Sequence, residues 1–155
     1  MAWSSKIYSA AITDALNGTA LFDLNSHTFK VALFGNVAKT PDQTVASAST
    51  AYNAGVWASD GVFDVTGWPA VGRDLAGVAS GFASNVYTFD ANDTVSANAT
   101  STITAAYGCL VYDDTLAAPV ADQGLCFNSF GGSNTVTNGQ MTVVWAATGI
   151  LTLTL

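Results

Sequence analysis

The stretch from Thr102 to Asp113 (TITAAYGCLVYD) constrains the fold more than any other, because it is long, rich in strand formers and uncharged until its last residue. At a strand's period of two, Ile103, Ala105, Tyr107, Cys109 and Val111 share one face and Thr104, Ala106, Gly108, Leu110 and Tyr112 the other. Both faces carry apolar groups, so the spacing predicts a central strand covered on both sides. Asp113 and Asp114 are expected to end it in a turn, since carboxylates resist burial.

The remaining composition agrees with a β-rich fold. All 11 acidic residues are Asp and none is Glu, the helix-favouring acid, which suits strands and turns. At 155 residues the expectation is one domain over 1–155, large enough to bury a core without disulfides or metals. Only 10% of the residues are charged, against roughly 25% in ordinary soluble domains. Surface so poor in charge is expected to be covered by other subunits.

Charge also excludes partners. Lys6, Lys30, Lys39 and Arg73 are the only cations in a chain of net charge −7, too few to neutralise a row of phosphates, so no nucleic acid is expected. No apolar run approaches the ~20 residues of a membrane span, so no membrane is expected either. The first residues lack the basic and apolar regions of a secretory signal, which predicts synthesis in a cytosol without export. In that compartment Cys109 and Cys126 read as free buried thiols, the alternative being a disulfide between neighbouring strands. The sequons at Asn17, Asn92 and Asn98 need a secretory route and are discounted.

Along the chain, Ser4 or Ser5 is placed to cap a helix over 4–17, with Ile7, Tyr8, Ala11, Ile12, Ala15 and Leu16 on one stripe and Asn17-Gly18 as its stop. Its stripe is expected to pack across an open face or end of the sheet. Strands are expected at 28–34, 86–89, 94–97, 125–130, 140–146 and 150–155, with a turn at 131–134. Between them, 47–84 is an irregular region bearing Gly and Trp, with one short strand around Phe63 and Val65. It is read either as a functional loop or as a long loop held down by its own aromatics. The fold class that results is mainly β, an antiparallel β-sandwich or barrel-like domain with one N-terminal α-helix.

Reactive groups are scarce. His27 is the only histidine and reads as an exposed turn residue, so a Ser-His-Asp or Cys-His arrangement has one residue on which to be built. Zinc would need more Cys and His than exist, and the Asp pairs at 90–93 and 113–114 lack calcium-loop spacing and read as turn stabilisers. Gly72 to Gly77 (GRDLAG) is no phosphate loop. The expectation is a protein that is not an enzyme, with no catalytic residue, metal or cofactor.

Five segments together give a positive indication: the helix ending at Asn17-Gly18, 27–34 (HTFKVALF), 40–43 (TPDQ), 101–114 (STITAAYGCLVYDD) and the run from Asn138 to Leu155. They resemble a family of small virion structural proteins of tailed bacteriophages over about half the chain. The sequence departs at 65–72 (VTGWPAVG), where relatives have a Gly-Tyr-x-x-Gly-Gly turn. The resemblance implies a capsid decoration (cement) protein on the outer capsid surface of the virion, made in the host bacterial cytoplasm. Its implied partners are the major capsid protein and itself, as a homotrimer. A minor tail protein or a tail-tip receptor- or carbohydrate-binding module is the alternative. Trp3, Tyr52, Trp57 and Trp68 are the candidate interface residues, and core packing is the competing reading for each.

Overall fold

The computed structural model describes residues 4–36 and 40–155. In chain order the elements are β1 (Lys6–Ile7), α1 (Ser9–Leu16), β2 (Phe29–Phe34), α2 (Ser47–Thr50), a 3-10 turn (Gly55–Ala58), β3 (Gly61–Val62) and β4 (Arg73–Asp74). There follow β5 (Ala79–Ala83), β6 (Val86–Asp90), β7 (Thr94–Val95), β8 (Ser101–Asp113), β9 (Gly124–Gly139), β10 (Thr142–Val143) and β11 (Leu151–Thr154). The protein is mainly β, and the paired strands run antiparallel.

The largest sheet has the order β1-β9-β8-β2-β3, with β4 sharing the outer edge of β2. A three-stranded sheet, β11-β6-β5, packs against it, and Phe29 of β2 meets Phe89 of β6 edge-on with ring centroids 5.0 Å apart. That contact makes the arrangement sandwich-like. On the opposite face of the large sheet Phe34, Trp57, Phe127 and Tyr8 form a second aromatic layer. The central strand is therefore covered on both sides: Cys109 to Tyr112 are all buried.

The simple alternation of β8 breaks at Ala105. This residue has φ +57, and the register steps from Ile103↔Val136 to Ala106↔Asn134, which inserts one residue as a bulge. Ile103 and Ala106 are consequently both buried, and Ala105 leaves the face that period two assigns it with Ile103.

Three boundaries also differ from expectation. Residues 6–7 pair with β9 and the helix starts only at Ser9, with Tyr8 as an N-cap whose side chain makes no capping bond, while Ser5 accepts the Ser129 N–H on its hydroxyl. Asn17-Gly18 does stop the helix, Gly18 adopting φ +68. Residues 131–134 are no hairpin turn; β9 continues through them, absorbing the irregularity as a register shift against β8. The strand expected over 140–146 shrinks to β10, since Trp145 turns aside to give its backbone N–H to Asp93 and its indole N–H to Thr94.

Candidate interaction surface

The irregular middle is rigidly anchored, and its tryptophans are the anchors. Trp57 and Trp68 are both buried, so neither offers apolar area to a partner, which corrects their assignment as interface residues. An indole buries its rings best where its N–H also finds an acceptor. Trp57 donates to the Tyr8 hydroxyl at 2.6 Å and Trp68 to the Val31 carbonyl at 3.1 Å. Tyr52 is half-buried and stacks on Tyr112 at 5.0 Å with rings 8° from parallel. Trp3 lies outside the described residues.

What those anchors present is a turn between β3 and β4. Asp64 and Trp68 exchange backbone hydrogen bonds at 2.9 and 2.8 Å, closing the loop 64–68. One carboxylate oxygen of Asp64 accepts from the Thr66 N–H, the Thr66 hydroxyl and the Gly67 N–H, and the other accepts from the Thr102 N–H at 2.8 Å. These bonds, led by those from the Thr102 and Gly67 amides, hold the Asp64 carboxyl down at about 2. Gly67 permits the closure: a Cβ there would stand 1.7 Å from the Ser101 hydroxyl. At the tip Val65 is 80% exposed; Phe63, just before the loop, is 50% exposed. An apolar side chain thus sits outward on a loop fixed from beneath.

A second apolar surface lies between α1 and the three-stranded sheet. It is a groove of about 210 Å³ lined by Ile12, Leu16, Phe22, Tyr87, Leu151 and Leu153, among others. Only Ala11 of α1 is buried, so the helix leaves much of its stripe facing this groove.

Several ionisable groups among the described residues are engaged in structure. Asp113 is fully buried, contrary to the expectation for a strand-ending carboxylate, because its needs are met: His27 Nδ1 stands 2.7 Å from Oδ2, and the Thr115 and Leu116 amides donate to Oδ1. His27 is accordingly not a free turn residue but a partner that ties the entry of β2 to the end of β8. The neighbouring Ser26 hydroxyl bonds Asp23. Lys30 pairs with Asp114 at 2.9 Å. Cys109 and Cys126 are free and buried, and burial raises both thiols, Cys126 to about 12, which keeps both protonated and unreactive.

Among the described residues no group of three or more His, Cys or Asp side chains is placed to hold a metal, and no helix is long and apolar enough to cross a membrane. Comparisons with protein families, with curated proteins and with solved structures find no match.

Sequence reasoning missed Val65 as the exposed tip of a closed loop. The available signal was Asp64-Val-Thr-Gly67, an aspartate followed by residues suited to bond its carboxylate, which marks a tight turn and makes Val65 its tip.

Proposed function

We propose that this chain is a capsid decoration protein of a tailed bacteriophage, binding the major capsid protein on the outside of the shell and stabilising it. The observation that carries this reading is the exposed apolar tip at Val65, pinned on the closed loop 64–68 of a chain with only four Lys and Arg residues. An interface needs apolar anchors that are already ordered, because ordering side chains on binding weakens association. The tip meets that need, its backbone being fixed by Asp64 and Trp68. The net charge of −7 favours the outer surface, where the protein stands away from packaged DNA. The five segments that resemble virion structural proteins supply the class of partner.

Binding of the purified protein to capsids lacking it tests the reading. Val65→Asp places an unpaired charge at the tip without touching the bonds that close the loop, and is expected to weaken capsid binding by about tenfold or more. Undiminished occupancy by a folded Val65→Asp protein contradicts the assignment of this surface.

A further inference from the structure

Only Gln140 and Met141 separate β9 from β10, yet the two strands do not pair: β9 runs with β8 in the large sheet, while β10 pairs with β7. The Met141 N–H goes to the Ser96 hydroxyl and the Met141 carbonyl takes the Ser96 N–H, which draws the chain toward β7. The strands therefore diverge, and a pocket of about 310 Å³ opens between them. That volume lies at the lower end of small-molecule sites, enough for one ring.

Its lining divides by depth. Met141 and Val143 are buried and Phe130 is half-buried, so the inner wall is apolar. Asn134 and Thr142 are exposed at the mouth with Val144, and Ser129 is half-buried. Each of the three polar side chains has bonding capacity left. The Ser129 hydroxyl accepts the Gly131 N–H and keeps its own proton, and the Asn134 amide donates to the Gly132 carbonyl and keeps its oxygen. The Thr142 hydroxyl has no partner among the described residues. Two of the three are thus already held by a local bond, which lowers the cost of ordering them on a ligand.

Charge narrows the class of ligand. No residue from Gln123 to Leu155 carries a charged side chain, and nothing lining the pocket is ionisable. Charges on adjoining elements lie outside it: Lys6 is opposite Phe127, and Asp93 accepts the Trp145 N–H. An ionic ligand finds no counter-charge here, and a purely apolar one leaves the hydroxyl and amide groups unused. We propose that the pocket binds one ring of a neutral saccharide. The ring's hydroxyls both donate and accept, as Ser129, Asn134 and Thr142 require, and its C–H face lies on Phe130 and Val143. The inference uses no residue of the Val65 loop and does not rest on the capsid reading.

Amide NMR of the full chain, titrated into the tens of millimolar with the methyl glycosides of glucose, galactose, mannose and N-acetylglucosamine, tests it. At least one is expected to shift the amides of Ser129, Phe130, Asn134 and Thr142 saturably, with the millimolar Kd of a one-ring ligand. Asn134→Ala and Thr142→Val, both at exposed positions, are each expected to weaken that binding about three- to tenfold, and the same spectra report whether each variant is folded. Cyclohexanol, a ring of like size without the set of hydroxyls, is expected to bind more weakly than the best glycoside. The proposal is overturned if no glycoside shifts these amides, if folded Asn134→Ala and Thr142→Val both bind undiminished, or if cyclohexanol binds as tightly, which would make the pocket an apolar cleft only.

Discussion

The Trp57 indole N–H donates to the Tyr8 hydroxyl at 2.6 Å in the core, tying the residue that precedes α1 to the 3-10 turn of the irregular middle. The bond explains why a region poor in regular structure is nonetheless fixed. It also holds Trp57 against Phe34 and Phe127, so the side chain serves the fold and not a partner.

Tyr8→Phe is expected to lower stability by roughly 1–3 kcal/mol, the cost of removing a buried hydrogen-bond partner. Trp57→Ala removes a whole buried indole and is expected to cost roughly 3–5 kcal/mol. Urea unfolding followed by circular dichroism measures both. Equal and small effects for the two variants would contradict the core assignment.

Asp64 makes stability depend on pH. Its folded value, about 2, lies below the ordinary 3.8, so its contribution is fully present above pH 3.8 and is lost as pH falls toward 2. Asp14, Asp23 and Asp42 are also held below the ordinary value by hydrogen bonds and act in the same direction. The urea midpoint is therefore expected to fall between pH 4 and 2, and Asp64→Asn is expected to flatten that fall. An unchanged slope in Asp64→Asn contradicts the turn described above.

Gly67→Ala is expected to disrupt the tip, since the new methyl meets Ser101 Oγ at 1.7 Å and Cβ at 2.8 Å. Ser101→Gly clears both atoms, so the double variant is expected to recover part of the lost melting temperature. Additive losses in a thermal melt would show that the clash is not the cause.

Both thiols are expected to stay unmodified by a thiol reagent at pH 8 in the native protein and to react fully in denaturant. Burial is the reason, acting through access and by pushing the Cys126 thiol up to about 12 and raising the Cys109 thiol as well. Rapid native labelling of either would contradict their burial.

Much of this architecture is legible in local patterns. The two apolar faces of β8, the alternation in β2 and β11 and the stop at Asn17-Gly18 all follow from short-range periodicity and backbone preference. What escapes is set by partners far away in sequence. Nothing near Asp113 announces that His27, 86 residues earlier, will meet its carboxylate, so burial of that charge is invisible locally. The Ala105 bulge is equally hidden, because alanine rarely adopts positive φ and is held there by the pairing of Ile103 and Ala106 with β9 on either side and by its own N–H bond to the Thr135 hydroxyl. Tryptophans in a glycine-rich stretch suggested exposed anchors; the acceptors at Tyr8 and Val31 that draw them inward belong to other elements.

The central claim is that this chain coats the capsid, and its copy number in purified particles tests that most directly. Quantitative mass spectrometry against the major capsid protein is expected to give hundreds of copies per virion. A handful of copies per virion, as at a tail tip, would contradict it.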